Sequence, residues 1–501
     1  MNPSRSLLYA LTLVSLTLCG TAASAADYEL ETVTDNLEGP WSVALLPDDS
    51  FLVTLRIGKL IHVGIDGTHR EVGGVPDTYY AGQGGFFDIV LHPAYAENQL
   101  VYLSYAHGTP GGNGTAILRA RFSGNALVDA ERIFLAEPLK DTPQHYGGRL
   151  LFLPDGTLLV STGDGFEYRE ASQDIHSELG KVIRINDDGS VPPDNPLIAE
   201  GANRVWTYGH RNTQGLVVDG DSGRVYLHEH GPRGGDEVNL LRPGTNYGWP
   251  AITYGVDYSG AYVSPFTEAD GMAQPLKYWT PSIAPSGMAW YGGDKFPEWR
   301  GDLFVGALVD KEVRRLELDN GEVVDEEALF SELNERIRDV RDLGDGFLYL
   351  LTDSAEGRLI RVRPADRAHQ GVVTNCSRLV DPDQAALRRA AAFFLAGAFF
   401  LAAAFFLAGA FFFTAAFLRA GAFFLAAAFL RAGDFFFAGA FFFTAFFLAV
   451  AFLAAAFFFG FLRALDCLAA AFSTMAAARS AAAALRCSRT CSARIGISFS
   501  A

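Results

Sequence analysis

The sequence predicts an all-β protein, and within that class a six-bladed β-propeller. Period-2 alternation is plain, as in Thr157-Leu158-Leu159-Val160-Ser161 and Phe347-Leu348-Tyr349-Leu350-Leu351, whereas helix-period stretches are few. One theme recurs between residues 41 and 363: a small or polar start, an apolar run, a Pro/Asp/Gly turn, a second apolar run and a polar loop. Units of roughly 45 to 70 residues, each long enough for about four short strands, mark radial β-architectures. A pair of β-sandwiches with coincidental turns is the competing reading, which the unequal spacing keeps open.

Taken in order, residues 1–25 read as a secretory signal, with Arg5 as the positive start, an apolar core over 7–18 and Ala23-Ser24-Ala25 as a small-residue cleavage site. A periplasmic or secreted protein beginning near Ala26 is expected. Cys19 does not make a lipoprotein signal, because the bulky Leu18 precedes it. The six copies follow, with turns at Pro47-Asp48-Asp49, His92-Pro93, Pro154-Asp155-Gly156, Asp219-Gly220-Asp221, Gly292-Gly293-Asp294 and Gly344-Asp345-Gly346. The propeller is expected to occupy 26–364.

Residues 365–501 change character. The stretch 390–461 is almost wholly Phe, Ala, Leu and Gly with paired phenylalanines such as Phe393-Phe394 and Phe399-Phe400. Six residues turn a helix by about 240°, so the repeat keeps no helical face, and paired Phe would point to opposite sides of a strand. The tail reads as the translation of a tandem DNA repeat or of a wrong frame rather than a selected structure. If it is real it is a membrane anchor, with 390–418 and 435–462 as spans, and a membrane is a partner only in that case.

Charge and cysteine usage exclude whole classes of function. The net charge is −17, and the part before residue 376 holds 30 Lys+Arg against 53 Asp+Glu, near −23. Nucleic acid is therefore excluded as a partner. No cysteine occurs between Ala26 and Asn375, so this exported domain relies on its core and not on disulfides.

The chain is organised around residues 205–250. A cluster of His210, Arg211, Asn212 and Gln214 precedes a glycine-rich acidic loop, His230-Gly231-Pro232-Arg233-Gly234-Gly235-Asp236-Glu237. Arginine forks match planar carboxylates, and carboxylates beside freed backbone carbonyls suit a hard cation. An anionic organic ligand paired with calcium is the expectation: Gly231 and Pro232 offer main-chain oxygens and Glu237 a carboxylate, with Tyr247 nearby in sequence. Arg336 and Arg338 alternate, which puts both guanidinium groups on one side of an extended segment, so that with Arg211 they make a three-arginine cradle. Gln83 sits among glycines in Gly82-Gln83-Gly84-Gly85. His145, between Gln144 and Tyr146-Gly147-Gly148, is a candidate general base, and Asp164 in Thr162-Gly163-Asp164 is the carboxylate best placed to orient it. There is no nucleophile elbow, phosphate loop or dinucleotide fingerprint.

These residues resemble a known family, the secreted quinoprotein sugar dehydrogenases, over about 27–364. The resemblance is carried by Gly39-Pro40-Trp41-Ser42, Gly82-Gln83-Gly84-Gly85, His145-Tyr146-Gly147-Gly148-Arg149, Ser161-Thr162-Gly163-Asp164, Gly209-His210-Arg211-Asn212, Glu229-His230-Gly231-Pro232, Asn246-Tyr247-Gly248-Trp249-Pro250 and Arg336-Ile337-Arg338-Asp339. It is closest to the aldose sugar dehydrogenase branch. The resemblance implies pyrroloquinoline quinone (PQQ) bound on calcium at the channel mouth, and oxidation of aldoses such as glucose to lactones. His145 would remove the anomeric hydroxyl proton while hydride passes to the quinone. Gln83, Arg211, Asn212, Arg336 and Arg338 would hold PQQ, Gly231 and Pro232 would ligate its calcium, and Glu237 and Tyr247 would belong to a further calcium site. Tyr258, Tyr278 and Trp279 would stack on cofactor or sugar.

One position departs from the family. Where relatives carry a cofactor-binding lysine after Gly306-Ala307-Leu308, this chain has Val309, and strand alternation would bring Lys311 to the same side, displaced by about 6 to 7 Å. Weaker PQQ binding is implied. An unidentified electron acceptor completes the partners, and the protein is expected as a monomer or homodimer. A calcium-dependent propeller hydrolase and a non-catalytic binding propeller remain as alternatives; the first needs no arginine cradle, and the second tolerates loss of His145.

Overall fold

The computed structural model describes residues 27–365. The leader and the 366–501 tail, with both candidate spans, lie outside the described residues. Among the described residues no helix is long and apolar enough to cross a membrane.

Six four-stranded antiparallel sheets make up the domain. Blade 1 holds Pro40–Leu45, Phe51–Leu55, Lys59–Val63 and His69–Glu71; blade 2, Phe86–Leu91, Leu100–Thr109, Gly112–Ser123 and Ala126–Leu135; blade 3, Gly147–Phe152, Leu158–Thr162, Lys181–Ile185 and Val205–Tyr208. Blade 4 holds Thr213–Val218, Val225–Glu229, Asp236–Leu241 and Lys277–Trp279, and blade 5, Pro285–Trp290, Leu303–Ala307, Val313–Asp319 and Glu322–Leu329. Blade 6 joins both ends of the domain: Ile337–Asp342, Leu348–Thr352 and Gly357–Pro364 are completed by Tyr28–Leu37, which pairs with Gly357–Pro364. The first strands of successive blades touch in a closed cycle, so the six-bladed ring is complete and the sandwich alternative is excluded.

The six turns read from sequence all fall between the first and second strands of their blades. In four, an aspartate side chain closes the turn by accepting a backbone N–H two residues on: Asp48 from Ser50, Asp155 from Thr157, Asp219 from Asp221 and Asp345 from Phe347. The second strands Phe51–Leu55, Leu158–Thr162 and Leu348–Thr352 are buried at every position. Their alternation therefore separates two apolar faces, one toward each neighbouring blade, and not core from solvent. Six buried clusters fill the six blade-to-blade interfaces, each drawing side chains from two adjacent blades. Burial of these faces is the main stabilising term, at about 25 cal/mol per Å² of apolar surface.

All six first strands shift register near their third residue, at Ser42, Asp88, Arg149, Gly215, Gly287 and Asp339. Such bulges re-aim side chains. Here they coincide with a buried polar belt: Arg149 Nη1 lies 2.8 Å from Asp339 Oδ1, Arg341 Nε 2.8 Å from Asp339 Oδ2, and Arg341 also pairs with Asp88. Two belt positions require glycine. A Cβ on Gly287 would stand 2.0 Å from Asp339 Oδ1, and one on Gly215 would stand 2.2 Å from His228 Nε2.

The chemistry-bearing residues share one topological position. Gln83, His145, Arg211, Asn212 and Arg336 precede the first strands of blades 2, 3, 4 and 6, while Asp164, Gly231, Val309 and Asp353 follow second strands. In an antiparallel blade the entry of the first strand and the exit of the second lie at the same end. Residues up to 270 positions apart thus meet at one mouth.

Candidate active site

His145 is 4% exposed, in left-handed backbone (φ +48°). Its Nδ1 lies 2.6 Å from Asp164 Oδ1, and its own backbone N–H donates to Gln83 Oε1 at 2.9 Å. The expected pair is thus brought together, and Gln83 anchors the loop that carries the base. Asp164 is fully engaged: Oδ1 also accepts from Phe166 N at 2.8 Å, and Oδ2 accepts from the Trp249 indole at 2.8 Å. A carboxylate accepting at Nδ1 fixes that nitrogen as N–H and leaves Nε2 with its lone pair. Burial pushes His145 below its ordinary value, with the Arg211 and Lys140 charges acting the same way against Asp164. Burial alone would raise Asp164, but the hydrogen bond and charge of His145, with Arg211 and the Phe166 N–H, hold it below the usual carboxylate range.

His145 and Asp164 do not themselves line a cavity, but the neighbours of His145, Gln83, Tyr146 and Gly147, form part of the wall of one of about 410 Å³ to which every blade contributes. Gln83, Asn212, Arg336 and Arg338 line it as expected, with Trp41, Arg56, Gln214 and Tyr146. Asp353 holds the two arginines together, Oδ2 accepting from Arg336 Nε at 2.8 Å and Oδ1 from Arg338 Nη2 at 2.9 Å. Asn212 turns its Oδ1 to Gly147 N at 3.2 Å. Arg211 does not line this cavity. It sits beside it with Nη1 donating to Gly231 O at 2.8 Å, Nη2 reaching Tyr258 Oη at 3.4 Å and its guanidinium over the Trp249 ring.

Gly231, Pro232, Tyr258 and Val309 line an adjoining groove of about 670 Å³, which shares His230 and Ala284 with the first. The Gly231 oxygen offered to calcium thus already accepts from Arg211, although a carbonyl has a second lone pair. Glu237 and Tyr247 meet, with Glu229 and Arg211, around a small pocket. Among the described residues Glu237 accepts from Asn239 Nδ2 at 3.3 Å, and burial, reinforced by Glu229's charge, pushes it up to about 8. Tyr247 Oη is committed to Leu240 O and Arg242 N. Among the described residues no three His, Cys, Asp or Glu side chains cluster as a metal site.

Three expectations are corrected. Trp279 does not stack in the site: it is 7% exposed in the core between blades 4 and 5, its indole donating to Glu326 Oε1 at 2.8 Å. Tyr278 stacks instead on Tyr254, rings 3.9 Å apart. The blade 5 strand ends at Ala307, so strand alternation does not carry Lys311 to the face of Val309; Lys311 lies in left-handed backbone (φ +58°) with Nζ near Asn334 Oδ1. Tyr258 does reach the groove, 59% exposed and 6.3 Å from the Phe166 ring that abuts His145. Sequence reasoning missed Trp249 and Asp353 as supports of the site. Trp249 had a signal in its Gly-Trp-Pro setting; Asp353 had none beyond its place after a strand.

The chain is 41% identical to aldose sugar dehydrogenase YliI of Escherichia coli over 352 residues, 68% of this chain and 94% of that protein. The crystal structure of the soluble Escherichia coli aldose sugar dehydrogenase in its apo form matches with TM-score 0.65 and 40% identity, covering 68% of this chain and all of that one. The PQQ-bound form of aldose sugar dehydrogenase from Streptomyces coelicolor matches with TM-score 0.58 and 29% identity, covering 68% and 99%. The family model described as Glucose / Sorbosone dehydrogenase matches residues 37–361, nearly the whole propeller, and the chain belongs to that family.

Proposed function

We propose that the protein is a PQQ- and calcium-dependent aldose sugar dehydrogenase that oxidises sugars such as glucose at the anomeric carbon to lactones. The observation that carries this reading is the buried His145–Asp164 pair, tied through Gln83 and Tyr146 to the wall of a cavity that Arg336 and Arg338 also line. The donor set suits PQQ: two guanidinium groups fixed by one carboxylate, with Gln83, Asn212 and Gln214, present forks and amides to a flat polycarboxylate. A hydrolase has no use for that cradle. The PQQ-bound Streptomyces coelicolor relative supports the assignment.

Bound PQQ supplies the two-electron acceptor for the anomeric hydride. The protein's part is to take the proton. His145 Nε2 accepts it from the anomeric hydroxyl as the C–O bond becomes a carbonyl, and Asp164 stabilises the imidazolium so formed. Tyr258 and Phe166 flank the approach of the sugar. Gly231 and Pro232 would hold the calcium that accompanies PQQ through main-chain oxygens. Glu237, with Glu229 opposite, suits a second hard cation, to which Tyr247 would bring its main-chain oxygen. We further propose export through the 1–25 leader and return of electrons to a separate acceptor.

The test is calorimetric titration of the full-length protein with PQQ, with and without calcium, followed by dye-linked glucose oxidation. Calcium-dependent binding with activity lost in His145→Ala is the expected result. Absence of PQQ binding in both conditions would overturn the reading.

A further inference from the structure

A lysine that the mechanism does not use lies buried behind the His145–Asp164 pair. Lys140 is 2% exposed, and its backbone exchanges two hydrogen bonds with Asn113, at 2.8 and 2.9 Å. Its ammonium meets Thr142 O at 2.6 Å, Asn113 Oδ1 at 3.0 Å and the Tyr146 ring face at 3.6 Å from the centroid. An ammonium has three N–H donors, and these are three acceptors for them. Burial pushes Lys140 down to about 7 against the charges of Asp164 and Asp141, whereas the acceptor cage suits the protonated form.

Each part of the cage also holds part of the site. Tyr146, which follows His145, donates its hydroxyl to the same Asn113 Oδ1 at 2.6 Å. Thr142 Oγ1 donates to Gly165 O at 2.5 Å, next to Asp164. The lysine stem lies against that turn so closely that a Cβ on Gly165 would stand 2.6 Å from Lys140 Cδ. The lysine therefore touches both the segment that carries the base and the segment that carries its carboxylate.

We propose that Lys140 is a positioning residue for His145: its buried ammonium clamps residues 142–146 to the 164–166 turn and sets a positive charge behind the pair. The proposal rests on reading His145 as the base. Asp164, Arg211, Lys140 and His230 are the charged and titratable groups facing His145, while Asp164, Asp141 and Tyr146 face the lysine. A positive charge there favours the neutral imidazole that accepts a proton. A lysine that only filled space would clamp without tuning.

The experiment compares full-length wild type with Lys140→Met, Lys140→Gln and Lys140→Arg. His145 protonation is followed by NMR without cofactor, and kcat, KM and PQQ affinity after reconstitution. Removal of the charge is expected to move the His145 midpoint to higher pH and to lower kcat by roughly tenfold, with KM and PQQ affinity within about twofold of wild type. Lys140→Arg is expected to keep the wild-type midpoint and recover part of kcat. Should Lys140→Met not fold, Lys140→Gln keeps two donors for the cage and still lacks the charge. A midpoint unmoved in both neutral variants, or lost activity that Lys140→Arg does not recover, overturns the proposal. The NMR arm needs no activity, so an inactive wild type with a shifting midpoint sinks the dehydrogenase reading and leaves the electrostatic coupling standing.

Discussion

The Trp249 indole N–H lies 2.8 Å from Asp164 Oδ2, the carboxylate oxygen that His145 does not use. Asp164 is thereby held between a donor from blade 3 and one from the loop after the third strand of blade 4, and His145 cannot rotate without breaking a network that spans both.

Asp164→Asn is expected to lower kcat by about 10² to 10⁴, because the amide favours the wrong imidazole tautomer, while PQQ affinity stays near wild type. Trp249→Phe removes one hydrogen bond to a charged group and is expected to cost about 10- to 100-fold in kcat. Dye-linked sugar oxidation together with PQQ titration measures both. Unchanged kcat in Asp164→Asn would remove the carboxylate from the mechanism.

The pH profile follows from burial of His145, whose pKa lies below its ordinary 6.5. The neutral base therefore persists as pH falls through 6.5, and the acid limb of kcat/KM should lie below that value. A limb at or above 6.5 in a profile from pH 4 to 9 would contradict the burial argument.

Arg336 and Arg338 share Asp353, but Arg338 is the more buried. Each alanine variant is expected to weaken PQQ binding by roughly 10- to 100-fold, Arg338→Ala the more, since a guanidinium shielded from water interacts more strongly with a bound carboxylate. Calorimetry reads this directly. Equal affinity in both variants and wild type would place PQQ elsewhere.

Glu237 is raised to about 8. Folding thus favours its protonated form, and in the absence of a cation this group costs stability as pH rises from the unfolded carboxylate range toward 8. Glu237→Gln is expected to raise Tm by a few degrees in chelator at neutral pH and to reduce the Tm gain on adding calcium. Thermal unfolding with and without calcium checks it; a variant that gains as much from calcium as wild type would remove Glu237 from any cation site.

Much of this was legible in the sequence because it is local. The six turn signals, the Arg336–Arg338 alternation and the pairing of His145 with Asp164 depend on short stretches of chain, and the structure keeps them, whereas Arg211 leaves the expected three-arginine cradle for Gly231 and Trp249. The failures came where a side chain's surroundings depend on partners distant in the chain. Trp279 reads as an aromatic near a ligand loop, but the neighbouring blade claims its ring. Lys311 reads as a strand residue, but the strand stops at Ala307.

The sequence by itself determined the blade number, the turn chemistry and the residue types at the channel mouth, since short-range sterics and period-2 patterning set these. Only the closed ring decided which of them meet. Tyr28–Leu37 completes blade 6 by pairing with a strand more than three hundred residues away, and that closure brings all six first strands to one axis. Contacts such as Trp249 with Asp164, Lys140 with the turn that carries Asp164, and Asp353 with both arginines exist because the blades converge there, and no local pattern encodes a distance between blades.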